Sequence, residues 1–202
     1  MSLQPPPRDL ASIPLATRRV SVASLVRVSR FPTGEPFFGR TASNRFDDRS
    51  RRRSARFGTC YCGFDLETAI AETVLHDEMP TRGRFLLSYS DFAARWRVGF
   101  PGGESLVLAN LSGPSLKILG GDGGLSTVLP YELPQLWAMA IHRHPQQVDG
   151  ILYMSRHLND RAAAVVFDRA AARLGAASCT PLVEARSLLS AIAELRIAFE
   201  YP

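Results

Sequence analysis

Residues 56–78 carry the sequence Arg-Phe-Gly-Thr-Cys-Tyr-Cys-Gly-Phe-Asp-Leu-Glu-Thr-Ala-Ile-Ala-Glu-Thr-Val-Leu-His-Asp-Glu. Residues 57–62 are rich in aromatic and small apolar side chains, which predicts a short strand, and Gly63 ends it. Asp65 stands where its carboxylate can accept hydrogen bonds from the first free backbone N–H groups of a helix. The stretch therefore predicts a strand, a turn and a helix.

The predicted helix has an apolar face at helical spacing, formed by Leu66, Ala69, Ile70, Thr73 and Val74. Glu72 lies off this face, in a polar stripe with Thr68 and His76. Two interpretations are open. Glu72 is either a solvated residue on an exposed stripe, or a carboxylate held at the floor of a cleft.

Length and composition predict one globular domain. The chain has 202 residues, of which 46% are hydrophobic and 21% are charged, enough for a sizeable core. We expect residues 1–20 to form a poorly ordered, Pro-rich tail and residues 21–202 to form the domain. No apolar run is long enough to span a membrane, and Met1 to Thr17 lacks the order of a signal peptide, so a cytoplasmic protein is expected.

Positive charge is concentrated in the first third of the chain. The net charge is +5, but residues 1–60 contain twelve Arg against four acids, whereas the remainder is net negative. Such a basic region indicates a phosphate-bearing ligand or an acidic partner. The simplest interpretation of the run Arg49-Ser50-Arg51-Arg52-Arg53 is a solvated surface.

Cysteine spacing gives no sign of a metal centre. Cys60 and Cys62 lie two apart on the predicted strand and so point to the same face. Cys179 is remote, and no second pair at zinc-finger spacing occurs. We therefore interpret the cysteines as thiols and expect no metal.

The other elements mix strands and helices without regular alternation, which favours an α+β fold over a doubly wound parallel sheet. The long segment 31–56 is expected to be a functional or disordered loop. His142 and His144, near the end of a helix opened by Pro134, are interpreted as surface or boundary residues. Strands are predicted at 24–29, 84–89, 105–109, 150–155, 163–167 and 197–201, and helices at 134–144 and 184–195.

Five stretches, taken together in this order, carry a resemblance that covers about residues 23 to 170. They are Leu25-Val26-Arg27-Val28, Asn44-Arg45-Phe46-Asp47, Thr59-Cys60-Tyr61-Cys62-Gly63, Thr68-Ala69-Ile70-Ala71-Glu72-Thr73 and Asp149-Gly150-Ile151-Leu152-Tyr153-Met154-Ser155-Arg156. With these motifs the sequence resembles the RES-domain family, the toxin half of RES–Xre toxin–antitoxin pairs.

The resemblance implies a single RES-type catalytic domain similar to ADP-ribosyltransferase toxins, with a core of small mixed or antiparallel sheets and flanking helices. It also implies that the protein consumes NAD⁺ as a substrate, without a further cofactor. The reaction would be hydrolysis, phosphorolysis or ADP-ribosylation of a protein. The implied partner is an Xre-type antitoxin, and a homodimer is the expected assembly.

The residue types at the matching positions suit this chemistry. Cleavage of the nicotinamide–ribose bond builds positive charge on the sugar, which a carboxylate stabilises, and Glu72 is the candidate. Arg27 and Arg45 would bind the pyrophosphate through their guanidinium groups, with Arg27 also in the catalytic set. Tyr61 would stack on nicotinamide or guide the ribose. Ser155 would bind a ribose hydroxyl or orient Glu72.

The second arginine has two candidate positions. Many family members have Gly-Arg-Trp-Asn where this chain has Asn44-Arg45-Phe46-Asp47, and a rival alignment would use Arg56.

A function of another class, a basic nucleic-acid-binding module or ribonuclease-type toxin, is suggested by the charge of residues 1–60. No nucleic-acid motif and no His pair suited to RNA cleavage supports it in the sequence. A catalytically inactive relative that only binds an antitoxin is the third alternative.

Overall fold

Ten strands and seven α-helices organise residues 3–200, which are the residues that the computed structural model describes. The strands are β1 (Thr17–Val20), β2 (Val26–Ser29), β3 (Thr59–Gly63), β4 (Phe85–Ser88), β5 (Trp96–Gly99), β6 (Leu106–Leu111), β7 (Gly150–Met154), β8 (Ala162–Phe167), β9 (Ser178–Pro181) and β10 (Ile197–Glu200). The helices are α1 (Leu66–Ala71), α2 (Tyr89–Ala93), α3 (Gly113–Ile118), α4 (Gly124–Thr127), α5 (Glu132–Arg143), α6 (Ala171–Leu174) and α7 (Leu188–Glu194).

Eight strands form one mixed sheet in the order β1-β6-β7-β8-β3-β2-β5-β9. All neighbours in this sheet are antiparallel except β6 and β7, which pair in parallel through the crossover that contains α3, α4 and α5. β4 and β10 form a separate parallel pair. The α+β fold class predicted from the sequence is confirmed, although the main sheet is larger than the small sheets that the resemblance implied.

Successive side chains of the central strands point to opposite faces of the sheet, so the hydrophobic core has one part on each face. In β8, Ala163, Val165 and Phe167 pack on one face, and the residues between them pack on the other. Cys60 and Cys62 of β3 share the second face, as their spacing predicts, and both are buried free thiols.

The first face is covered by α5, whose Trp137 is fully buried. A third apolar cluster joins α1 and α7 to β2 and the β4–β10 pair. Among residues 3–200, no helix is long and apolar enough to cross a membrane.

The N-terminal segment differs from the disordered tail that we expected. Leu3, Leu10 and Leu15 are buried against the cluster that contains Trp137, whose indole Nε1 donates to the carbonyl of Gln4 at 2.9 Å. The segment then continues into β1, which pairs with β6. The expectation was wrong for residues 3–20 because their spaced leucines cover α5, a contact that the local proline-rich composition does not indicate.

Helix α1 begins where the sequence predicts but ends at Ala71, before the last residues of its predicted apolar face. Asp65 caps it by accepting a hydrogen bond from the backbone N–H of Thr68 at 2.6 Å. The carbonyl of Ile70 then receives the N–H groups of Thr73, Val74 and Leu75, so the chain tightens into turns after Ala71. Glu72 is therefore the C-terminal cap of α1 and no longer part of a continuous polar stripe.

Of the two histidines near the end of α5, His142 is a half-buried boundary residue as expected, and His144 is more buried than expected. His144 is only 3% exposed, and its Nδ1 accepts a hydrogen bond from the backbone N–H of Gln146. His142 stacks on Phe57, with ring centroids 4.1 Å apart, and meets the edge of Phe167. Burial, followed by the charge of Arg169, lowers the pKa of His142 to about 4.

This pKa predicts a pH dependence of stability. Protonation of His142 is favoured in the unfolded chain below its ordinary pKa but opposed in the folded protein, so stability falls as pH drops from 6.5 toward 4. We expect His142 to account for a loss of about 1–2 kcal/mol between pH 7 and pH 5, after allowance for its partial exposure. His142→Phe, which keeps an aromatic ring on Phe57, should lack this component in urea unfolding. Equal pH dependence of the two proteins would contradict the assignment.

Candidate active site

The candidate site is a cleft of about 310 Å³ where the end of α1, the end of β7 and the 31–56 loop meet. Four of the five residues predicted from the sequence line it: Arg27, Arg45, Tyr61 and Glu72. The fifth, Ser155, is completely buried immediately behind Glu72. The five residues span 129 positions of sequence, and β2, β3, α1, β7 and the 31–56 loop bring them together.

Glu72 is held by one of its carboxylate oxygens. Its Oε1 accepts hydrogen bonds from the hydroxyl of Ser155 at 2.6 Å and from the backbone N–H of Arg156 at 3.2 Å. Its Oε2 has no hydrogen-bond partner within residues 3–200, and the residue lines the cleft. Glu72 is therefore neither solvated on an exposed stripe nor buried, but fixed at the cleft with one oxygen free.

Ser155 connects Glu72 to the turn that follows β7. Its hydroxyl oxygen accepts the backbone N–H groups of His157 at 3.2 Å and Leu158 at 3.1 Å while its proton goes to Glu72. The hydroxyl is thus fully used by protein groups. This geometry is that of a residue that orients Glu72 rather than one that contacts a ribose.

Arg27 lies on β2, and two of its three guanidinium nitrogens donate hydrogen bonds to protein groups. Its Nε donates to Glu35 at 3.2 Å, and one terminal nitrogen donates to the carbonyl of Tyr61 at 3.2 Å. Burial opposes its charge, but the acidic groups around it, Cys60 and Glu35 foremost, keep the pKa of Arg27 above its ordinary value. Arg27 is therefore a fixed cation.

Arg45 is a buried cation with an unsatisfied donor. One terminal nitrogen donates to the carbonyls of Leu125 and Val128, and the guanidinium lies 4.5 Å above the ring centroid of Tyr131. The other terminal nitrogen is buried and has no partner in the described part of the chain. An unpaired buried N–H of a charged group is costly, so this nitrogen suits an anionic ligand.

The carboxylate of Asp47 fixes the loop that carries Arg45. Its Oδ1 accepts from the hydroxyls of Thr59 and Tyr61 at 2.7 and 3.1 Å. Its Oδ2 accepts from Thr41 and from both the backbone and side-chain nitrogens of Asn44. Two donors therefore tie the loop to β3, and three donors within residues 41–44 close the loop on itself.

Tyr61 contributes its ring to the cleft and its hydroxyl to the loop. The hydroxyl donates to Asp47 and accepts the backbone N–H of Phe46 at 2.9 Å. Burial, followed by the charge of Asp47, raises the pKa of Tyr61 well above its ordinary value, so the phenol stays protonated. The ring is positioned to contact a ligand, while the hydroxyl serves the protein.

Arg56, the rival candidate for the second arginine, does not line the cleft. Its guanidinium donates to the backbone carbonyls of Arg40, Thr41 and Ser50, which holds the loop together. The run at 49–53 is exposed at its four arginines, as the sequence predicts. The structure therefore places Arg45, and not Arg56, beside Glu72.

Sequence reasoning assigned no role to several further residues of the cleft. Arg156 and His157 follow Ser155, and the ring of His157 lies 5.0 Å from that of His76. The Nε2 atom of His157 is buried without a partner among residues 3–200, and burial lowers its pKa, against the opposing effect of Glu72. The position of Arg156 within the quoted Ser-Arg motif was the one sequence signal available. Nothing local marks His76 or His157 as neighbours.

The cleft is electropositive because its lining contains three guanidinium groups and one carboxylate. The cations are Arg27, Arg45 and Arg156, and the carboxylate is Glu72.

A larger cavity of about 520 Å³ lies beside α3, with Lys117, Arg161 and Tyr153 in its lining. Arg161 is already paired with Asp65 and Glu67 there, whereas the Glu72 cleft has unsatisfied donors. We therefore assign the site to the Glu72 cleft.

Comparison with known proteins agrees with these motifs. A family model described as the RES domain matches residues 24–188, which include every residue of the site. The chain belongs to the RES domain family. It is also similar to probable toxin y4kH of Sinorhizobium fredii (strain NBRC 101917 / NGR234), with 32% identity over 89 residues, 44% of this chain and 69% of that protein. In this RES domain, the matched segment begins just before β2 and ends at the first residue of α7.

The Tyr61 hydroxyl predicts a measurable effect on stability. Tyr61→Phe removes a donor to Asp47 and leaves the buried N–H of Phe46 without its partner, so we expect a loss of about 1–3 kcal/mol in urea unfolding. Tyr131→Phe is the matched control, because the Tyr131 hydroxyl makes no hydrogen bond in the described chain, and it should change stability by less than about 0.5 kcal/mol. Equal effects of the two substitutions would show that the Asp47 network does not stabilise the loop.

Proposed function

We propose that this RES domain is a toxin enzyme that cleaves the nicotinamide–ribose bond of NAD⁺. The observation that carries the proposal is the Glu72 carboxylate, held by Ser155 through one oxygen and free at the other, in a cleft with three guanidinium groups. The name of the relative in Sinorhizobium fredii supports the toxin part of the proposal.

Glu72 would act on the charge that develops during bond cleavage. As the C–N bond to nicotinamide breaks, its electron pair leaves with nicotinamide and positive charge builds on the ribose. The free Oε2 of Glu72 would stabilise that charge and polarise the incoming acceptor. The hydrogen bonds from Ser155 and Arg156 to Oε1 fix the carboxylate before the reaction begins, so little reorganisation is needed.

The arginines would bind the pyrophosphate. Guanidinium groups bind phosphate oxygens through paired, charge-assisted hydrogen bonds. The unsatisfied nitrogen of Arg45 and the free terminal nitrogen of Arg27 would donate to these oxygens, and the ring of Tyr61 would face the nicotinamide riboside. The acceptor would be water or phosphate, or a protein side chain if the enzyme is a mono-ADP-ribosyltransferase.

An Xre-type antitoxin is the partner that we propose for this toxin. A segment with acidic side chains would be attracted to the electropositive cleft and would compete there for Arg27, Arg45 and Arg156. Such a segment would block NAD⁺ from the same guanidinium groups.

One observation favours a second function, ribonuclease-type cleavage. The rings of His76 and His157 lie 5.0 Å apart at the cleft, and a pair of histidines can act as general base and general acid. Against it, several arginines of the basic first third are committed to internal contacts with Glu35, Asp168 and backbone carbonyls. RNA cleavage that is lost in both His76→Gln and His157→Gln would favour this function over NAD⁺ cleavage.

Glu72→Gln tests the leading proposal. The amide keeps the size of the side chain and its hydrogen bond from Ser155 but removes the negative charge, so we expect loss of NAD⁺ cleavage and of toxicity in a folded protein, about 100-fold or more in kcat. Purified protein is incubated with NAD⁺, with and without phosphate, and the products are separated chromatographically.

Glu78→Gln is the control for this experiment, since Glu78 is exposed and outside the cleft. It should cleave NAD⁺ like the unmodified protein. Free nicotinamide with ADP-ribose would indicate hydrolysis, and a requirement for phosphate would indicate phosphorolysis. NAD⁺ loss only in the presence of cell extract would indicate transfer to a macromolecule. Full activity of Glu72→Gln would refute the proposal.

The pair Arg45→Gln and Arg56→Gln tests the second arginine. Arg45→Gln should raise the KM for NAD⁺ about tenfold or more, because a charge-assisted hydrogen bond to phosphate is lost. Arg56→Gln should leave KM within about twofold and act mainly on stability, because its three acceptors are backbone carbonyls of the loop. Thermal unfolding of both variants separates the two effects, and the reverse ranking of KM would move the phosphate site to Arg56.

A further inference from the structure

A second groove adjoins the Glu72 cleft on the side of β2. It has a volume of about 440 Å³ and shares Arg27, Phe37 and Thr73 with the lining of the cleft. We call it the Arg30–Arg95 groove, after the two further arginines in its lining. Arg27 therefore stands between two connected cavities.

Strand register brings Arg30 and Arg95 together. Ser29 of β2 pairs with Trp96 of β5 in the antiparallel ladder, so Arg30 and Arg95 are the next residues beyond that pair and face each other across the two strands. Like charges directly opposite each other are destabilising. Two guanidinium groups placed in this way call for a compensating anion.

No carboxylate of the described chain is in ion-pair contact with either guanidinium group. Neither arginine takes part in an ion pair within residues 3–200, and the Nε atom of Arg95 is buried without a hydrogen-bond partner. Glu35 also lines the groove, but its two oxygens are occupied by Arg27 and by the backbone N–H of Phe37. Burial and the charge of Arg30 lower the pKa of Arg95, with Asp91 opposing them.

Two exposed phenyl rings flank these cations. Phe31 is 68% exposed and Phe37 is 58% exposed, and both line the groove. Backbone hydrogen bonds hold the two residues, from Phe31 to the Ser29 hydroxyl and from Phe37 to Glu35. Exposed aromatic rings beside unpaired guanidinium groups are the combination that binds a nucleotide, by stacking on its base and pairing with its phosphate.

The size of the Glu72 cleft leaves room for such a second subsite. At about 310 Å³ the cleft is at the lower end of the range for small-molecule sites. A dinucleotide has two nucleotide halves joined at the pyrophosphate, and a cleft of this size suits one of them. Arg27, between the cavities, is placed where the pyrophosphate would lie.

We propose that the Arg30–Arg95 groove binds the adenosine monophosphate half of NAD⁺, with the phosphate on Arg30 and Arg95 and the adenine on Phe31. The inference rests on the proposed function for its substrate, but the groove can be tested without turnover. Its test is the binding of AMP, measured by calorimetry on the full chain.

The double variant Arg30→Gln, Arg95→Gln should bind AMP at least about tenfold more weakly than the unmodified protein, since a charge-assisted contact is removed. Arg18→Gln is the matched control: Arg18 is an exposed arginine on β1, at the opposite edge of the sheet, and AMP binding should be unchanged. Phe31→Ala should weaken AMP but not inorganic phosphate. AMP binding that survives in the double variant, or no AMP binding by the unmodified protein, would overturn the proposal.

Kinetics with NAD⁺ provide the second readout. The double variant should raise KM about tenfold or more with kcat within about twofold, because the groove holds the half of the substrate that does not react. Loss of kcat at unchanged KM would overturn the assignment.

The experiments distinguish an error in the assignment of the groove from an error in the proposed function. Glu72→Gln should keep AMP binding while losing NAD⁺ cleavage. If the unmodified protein leaves NAD⁺ intact but AMP binding still depends on the arginine pair, the groove is a nucleotide site and the proposed function fails. If NAD⁺ is cleaved but AMP binding does not depend on Arg30 and Arg95, only the groove assignment fails.

Discussion

The carboxylate of Asp47 is the interaction on which the candidate site depends. It is almost completely buried, and a buried carboxylate is tolerated only when its oxygens are well supplied with donors. Two of its five hydrogen bonds hold the loop on β3 and position the ring of Tyr61, and the other three fix the shape of residues 41–47. Arg45 reaches the cleft only because the loop around Asp47 is held in this way.

Local patterns predicted the elements that carry the site. The cap at Asp65, the alternation of Cys60 and Cys62 and the α+β class all follow from residues close in sequence, and all are present. Glu72, Arg27, Arg45 and Tyr61 were identified through motifs, and they meet at one cleft with Ser155 behind it. The motifs of Arg27, Tyr61 and Glu72 are informative because each combines a polar residue with the strand or helix that positions it, whereas Arg45 is positioned by the loop around Asp47.

Other features depend on contacts between distant segments, which local composition does not reveal. The proline-rich residues 3–20 are ordered because their leucines cover Trp137, more than 100 positions away. His76 and His157 meet only because the turn after α1 lies against the turn after β7. Arg30 and Arg95 face each other through the register of β2 and β5, and that register cannot be read from either strand alone.

The hydrogen bond between Glu72 and Ser155 joins residues 83 positions apart. Between them in sequence lie β4 to β7, and Ser155 receives its position from β7, which pairs with β6 and β8. A growing chain on the ribosome therefore has its carboxylate long before it has the residue that orients it. The site is completed only when β8 has been made and paired with β7 and β3, so the cleft is incomplete for most of the chain's synthesis.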